Sequence, residues 1–172
     1  AVGSNILLFA YSWKLKSTVL LGNAAVATII ALCMVFGGVA AGSVRPTLWL
    51  AATAFFAMMG REILKTMADY EGDLRQNCQT IATVWGKKIA RVFVVVFLGI
   101  AAVVMLAPYF IQQYSPIYLY ILIFGVYPLL VYIGINAKST APAKTLERMS
   151  QVMKYDFFVW FVAVALGTGL SA

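Results

Sequence analysis

Apolar residues in this chain come in long blocks, and polar residues collect between them. The blocks cover about residues 1–13, 20–41, 47–64, 90–111, 117–135 and 157–172. Four of them reach ~18 residues with few or no charges, the pattern of helices that cross a bilayer. None alternates with the period of two that a barrel strand needs. Lipid offers backbone groups no hydrogen-bond partners, so helices are the expected solution. The expected fold class is therefore all-α, a multi-pass transmembrane helix bundle of six spans forming one domain over residues 1–172. The first block is short and has the look of the end of a helix, so upstream residues are expected. Pro46, Pro108 and Pro116 fall near span ends, where a missing N–H is harmless. Pro128 falls inside a span and predicts a kink.

Composition agrees with this pattern. Of 172 residues, 63% are hydrophobic and 11% charged, whereas a soluble domain carries about 25% charged residues. The charges also sort by side. If the spans alternate, one side holds Lys14, Lys16, the stretch 61–91 and the stretch 138–154, which together carry twelve of the thirteen Lys and Arg. The other side holds Arg45. Basic residues collect on the cytoplasmic side, so the loop around Asp69 is expected in the cytoplasm and the C-terminus outside. The net charge of +7 is mostly this bias. The expected partner is the lipid bilayer with its anionic headgroups, and not nucleic acid.

The chain has no histidine, and its two cysteines, Cys33 and Cys78, stand far apart. A serine–histidine triad is excluded within this chain, and zinc, haem and thiolate chemistry find no ligand pattern. Cys33 reads as a small core residue. Nearly all charges sit at one membrane face, which disfavours a transporter with mid-span polar groups.

One polar stretch stands out, Gly60-Arg61-Glu62-Ile63-Leu64-Lys65-Thr66-Met67-Ala68-Asp69-Tyr70-Glu71-Gly72-Asp73. Arg61, Lys65, Asp69 and Asp73 are spaced by four, so on a helix they are near neighbours. Two carboxylates so placed suit magnesium, which takes one or two carboxylates and fills its shell with water and substrate phosphates. The basic residues one and two turns back suit phosphate oxygens. Spacing alone also allows Asp69, Glu71 and Asp73 to be solvated loop charges. A second polar segment is Tyr11-Ser12-Trp13-Lys14-Leu15-Lys16, followed by Gly22-Asn23. Lys14 and Lys16 either anchor phosphate or snorkel to headgroups, and the physics favours snorkelling. Asn23 opens an apolar span and needs a polar partner, as structural glue or as part of a site.

These residues resemble the UbiA superfamily of intramembrane prenyltransferases. Members have nine transmembrane helices around a central cavity and two Asp-rich motifs on cytoplasmic loops. Asp69-Tyr70-Glu71-Gly72-Asp73 is similar to the second motif, and Thr80 and Gly86 fall where the family has a Thr and a Gly. The flanks, from Tyr11 to Lys16, Gly22-Asn23, Arg61 to Lys65 and Lys154-Tyr155-Asp156, resemble the archaeal-type digeranylgeranylglyceryl phosphate synthase subgroup. Thr66, Asn77, Gln79 and Ala82 depart from its usual Asp, Gly, basic residue and Pro. The first Asp-rich motif has no counterpart here. The resemblance covers about six of the nine helices, so this chain alone is expected to be an incomplete, inactive catalyst.

The resemblance implies a magnesium-dependent transfer of a polyprenyl group, geranylgeranyl in this subgroup, from its diphosphate to a lipid acceptor, geranylgeranylglyceryl phosphate. Asp69 and Asp73 would hold the metal. Lys65, Arg61, Lys14 and Lys16 are the candidate phosphate contacts, and Tyr11, Tyr70 and Asn23 the candidate substrate-lining residues. Other aromatics, including Phe55, Phe56 and Trp160, read as packing or lipid-facing. Two alternatives remain at this point: an aromatic (quinone-precursor or tetrapyrrole) prenyltransferase, and a non-catalytic membrane subunit or degenerate paralogue that binds prenyl lipids.

Overall fold

A computed structural model describes residues 18–112 and 114–169. The described residues are helical, with five helical stretches long and apolar enough to cross a membrane: Leu21–Ala40, Thr47–Ala68, Gly86–Gln112, Pro116–Asn136 and Ala143–Thr168. We label the helices α1 (Leu21–Ala40), α2 (Thr47–Ala68), α3 (Tyr70–Arg75), α4 (Ile81–Val84), α5 (Gly86–Val104), α6 (Ala107–Gln112), α7 (Pro116–Ile121), α8 (Tyr127–Asn136) and α9 (Ala143–Gly169). A π-helical turn, Leu122–Val126, joins α7 to α8. The first apolar block, with Tyr11, Lys14 and Lys16, lies outside the described residues.

Helix α2 is the hub, packed against α1, α5 and α9. Its sequence allows this because small residues recur along it: Ala51, Ala54, Ala57 and Gly60 are all buried. In lipid, helices gain nothing by hiding apolar surface from one another, so association depends on close packing, which small residues permit. Gly60 makes the closest demand: a Cβ there would lie 2.8 Å from Leu98 Cδ2 on α5. Toward its C-terminal end α2 contributes Ile63, Leu64 and Met67 to the same buried core as Ile81, Val94 and Trp160. Phe55 and Phe56 meet edge to face, and Phe56 stacks on Phe97, so these aromatics pack helices together. Large apolar residues also cover the outside, among them Phe110 at 71% and Phe124 at 76% exposure. An outer surface of that kind suits hydrocarbon as its solvent.

The end of α5 shows how polar backbone groups are satisfied at depth. Pro108 lacks an N–H, and the chain tightens here: Leu106 N–H donates to Val103 and Tyr109 N–H to Leu106, both at 3.1 Å. That three-residue spacing bypasses the carbonyls of Ala102 and Met105. Tyr127 Oη donates to Ala102 O and Tyr118 Oη to Met105 O, each at 2.7 Å. Two tyrosines of the next span thus take the acceptors that the helix end releases.

Three expectations change. The last span starts at Ala143 and not at 157. Residues 143–156 are good helix formers with Leu146, Met149 and Met153 buried on one face, so a charge-rich stretch is an amphipathic extension of the span and not a loop. The feature associated with Pro128 is the π-turn just before it, where Tyr127 N–H donates to Leu122 O across five residues. Cys33 is exposed on α1 and not in the core, a position an apolar thiol tolerates.

Candidate active site

The polar connection after α2 builds the site. Helix α2 ends at Ala68, and Asp69 caps it with φ −83° and ψ 4°. The turn bends there without breaking the ladder: Asp69 N–H donates to Lys65 O and Asp73 N–H to Asp69 O, both at 2.9 Å. Lys65, Asp69 and Asp73 therefore stay on one side. Helix α3 then closes on a Schellman motif, with Cys78 N–H donating to Asp73 O at 2.9 Å and Asn77 N–H to Leu74 O at 3.2 Å. The residue after the cap must be left-handed, and Asn77 has φ 52°. Asn is the residue that tolerates this best after Gly. Thr80 and Thr83 next form a reciprocal capping box on α4. Gly86, with φ +85°, starts α5 in a conformation that other residues enter only with strain.

Asp69 and Asp73 line a common cavity of about 500 Å³ with Lys65, Ala68, Gly72, Gln76 and Cys78. Lys65, Asp69 and Asp73 also line an adjoining space of about 90 Å³, which Asn23, Glu62, Thr66 and Thr80 complete. Asn23 reaches it from the first turn of α1 and is buried. Lys65 and Asp69 are exposed, and Asp73 is half-buried. Of the residues named from sequence, Lys65, Asp69, Asp73 and Asn23 are thus brought together.

Arg61 and Tyr70 are not. Each step of four residues turns a helix ~40° past a full turn, so Arg61 points ~80° away from Asp69. Its guanidinium meets Glu62 Oε1 at 2.6 Å and Ser150 O on α9 at 3.1 Å. It lines a separate cavity with Met58, Lys154 and Phe157. Tyr70 sits under Lys87, whose Nζ lies 4.6 Å from the ring centre.

Glu62, Thr66 and Thr80 were not named as site residues from sequence. A signal existed for two of them. Glu62, Thr66, Asp69 and Asp73 follow a 4-3-4 spacing, which keeps them within ~60° of one another on a helix. The four-residue row that begins at Arg61 spreads over ~120° by contrast. Asp156 is a further buried carboxyl, on α9 beside Leu130, Met153 and Trp160.

A helix bundle with an apolar exterior and an acidic polar mouth defines a multi-pass membrane protein built around an end-on cavity. Comparison with known proteins makes the assignment specific. Residues 1–167 match the model of the UbiA prenyltransferase family, and the chain belongs to that family. It is 32% identical over 168 residues to a digeranylgeranylglyceryl phosphate synthase of Methanothermobacter thermautotrophicus, covering 98% of this chain and 59% of the relative. The same-named protein of Methanopyrus kandleri is 37% identical over 106 residues, covering 62% of this chain and 39% of the relative. A solved structure of a digeranylgeranylglyceryl phosphate synthase superposes with a TM-score of 0.87 at 24% identity, covering 96% of this chain and 59% of that one. That likeness establishes the fold. The chain spans 59% of the length of these two long matches.

Proposed function

We propose that this chain forms the second-motif part of an intramembrane prenyltransferase. The reaction moves a geranylgeranyl group from its diphosphate to the free hydroxyl of geranylgeranylglyceryl phosphate. The observation that carries the reading is the convergence of Asp69, Asp73 and Lys65 on one cavity at the polar end of α2. Family membership and the names of the relatives support it.

The donor set fits magnesium. Asp69 and Asp73 offer hard carboxylate oxygens, and among the described residues no group of three His, Cys, Asp or Glu converges on a metal site. Two carboxylates leave most of the shell to water and phosphate oxygens, as magnesium prefers in phosphate sites. When bound, the ion supplies charge neutralisation on the departing diphosphate. Lys65 adds a cation on the same cavity wall for the phosphate oxygens. Asn23 and Thr66, from facing helices, offer neutral polar groups to substrate beside it. The bond between C1 of the prenyl group and the diphosphate oxygen breaks. A new C–O bond forms to the acceptor hydroxyl, whose proton is released. The apolar interior behind the site keeps water from the allylic carbon.

The Asp-bearing end is proposed to face the cytoplasm, with the C-terminus outside, on the strength of twelve of thirteen basic residues falling on that side. The activity is tested on the protein expressed from its complete reading frame and purified in detergent. Geranylgeranyl diphosphate and geranylgeranylglyceryl phosphate should yield diphosphate and a doubly prenylated product with magnesium. A chelator should abolish the yield and added magnesium restore it. Turnover that is indifferent to chelator would defeat the metal assignment. Transfer only to aromatic acceptors would replace the lipid acceptor.

A further inference from the structure

A second cavity, of about 290 Å³, opens between α1, α2 and α9, lined by Ile30, Ala54, Met58, Phe157 and Phe161, with Arg61 and Lys154 also in its wall. It is apolar along its length and basic at the end nearest the acidic site. We infer that this cavity takes the phosphate end of the acceptor, an anionic single-chain isoprenoid lipid, with Lys154 as the residue that selects for its phosphate; the assignment rests on the prenyl transfer proposed above.

Charge points to an anion. Glu62 lies 2.6 Å from Arg61 and offsets it. Lys154 is exposed, and among the described residues no carboxylate pairs with it. Asp156, two residues on, is buried and lines a different cavity with Met105 and Leu130. The three groups Arg61, Glu62 and Lys154 thus leave one uncompensated positive charge at the cavity's polar end. A phosphate monoester carries about −1.5 to −2 at neutral pH, so the two are complementary. The hydrogen bond from Arg61 Nε to Ser150 O, 3.1 Å, fixes the guanidinium between α2 and α9.

Position separates this anion site from the diphosphate site. Arg61 lies eight residues before Asp69, ~12 Å along the helix, and is rotated ~80° from it. One diphosphate group cannot use both ends well. The chemistry supplies a second anion: a glyceryl phosphate that ends with two geranylgeranyl groups starts with one, and carries its phosphate close to the hydroxyl that reacts. Such a molecule needs a cation at its head, apolar walls for the first part of its chain, and an opening toward the reacting carbon. Glu62 lines the acidic space and is hydrogen-bonded to Arg61, which lines the basic cavity, so one ion pair links the walls of the two. The volume is at the lower end of small-molecule pockets, about 300–1,000 Å³, which suits the head and near end of the chain and leaves the remainder in the bilayer.

The test is equilibrium binding to the complete protein in detergent, using geranylgeranylglyceryl phosphate and the phosphate-free geranylgeranylglycerol, with wild type, Lys154→Gln and Lys154→Arg. Loss of one charge-assisted contact is expected to weaken binding of the phosphorylated lipid about tenfold in Lys154→Gln. Lys154→Arg should retain it, and the phosphate-free lipid should bind all three alike. In turnover, Lys154→Gln should raise KM for the acceptor with KM for geranylgeranyl diphosphate unchanged. Equal binding of the phosphorylated lipid to wild type and Lys154→Gln overturns the inference, as does a rise in donor KM in place of acceptor KM. Intact phosphate-selective binding without any transfer would leave the cavity assignment standing and remove the prenyl-transfer reading.

Discussion

Asp69 and Asp73 share a cavity because the helical ladder runs through Asp69 even though α2 ends just before it. The four-residue spacing made this pair and Lys65 legible from sequence. The same spacing placed Arg61 in the row, and the helix's surplus rotation carried it to another cavity. Reading the polar residues at 4-3-4 spacing would have found Glu62 and Thr66. Asn23 needed a fold to meet them, since nothing local to α1 says which helix it faces. Thr66 carries a prediction. Its hydroxyl donates to Ile63 O at 2.8 Å and its side chain lines the acidic space. Thr66→Asp adds a third carboxylate beside the proposed ion, and charge count raises divalent affinity. The magnesium concentration for half-maximal turnover should fall severalfold, measured by titrating the metal at saturating substrates. An unchanged midpoint would put Thr66 outside the metal's reach.

Element boundaries were legible where apolar blocks ended at glycine, proline or a capping residue, as for α1 and the start of α2. They were obscured where charged residues decorate a helix that continues. The stretch 143–156 is rich in Lys, Glu and Arg, yet Leu146, Met149 and Met153 bind it to the core and make it the first half of α9. The roles of the tyrosines were not legible either, because the carbonyls they serve are released by a tightening of α5 that depends on Pro108 and the next span. Tyr118 is fully buried, and its hydroxyl is 2.7 Å from Met105 O. Tyr118→Phe strands that carbonyl away from water, at a cost of about 1–3 kcal/mol. The protein in detergent should lose a corresponding amount of unfolding free energy while its helix content stays the same. A loss below a few tenths of a kcal/mol would show that the bond contributes little.

At the scale of the whole molecule, the bundle has apolar side chains both inside and out, and its polar chemistry gathers at one end. Apolar block length and charge asymmetry made the membrane class legible, while the depth and outline of each cavity came from packing. Sidedness is open to direct measurement. Cys78 is half-buried and lines the large acidic cavity. With the other cysteines replaced by alanine, a membrane-impermeant maleimide should label Cys78 in inside-out vesicles and spare it in intact cells. Labelling from outside the cell would invert the topology.

The most direct measurement of the central claim compares diphosphate release by the complete wild-type protein with that of Asp69→Asn and Asp73→Asn, each checked for an unaltered unfolding midpoint. Each change removes a charged oxygen from the proposed ion while keeping shape. Release should fall by about a hundredfold or more in both, in line with several kcal/mol of lost transition-state stabilisation. Folded variants that turn over at the wild-type rate would contradict the account.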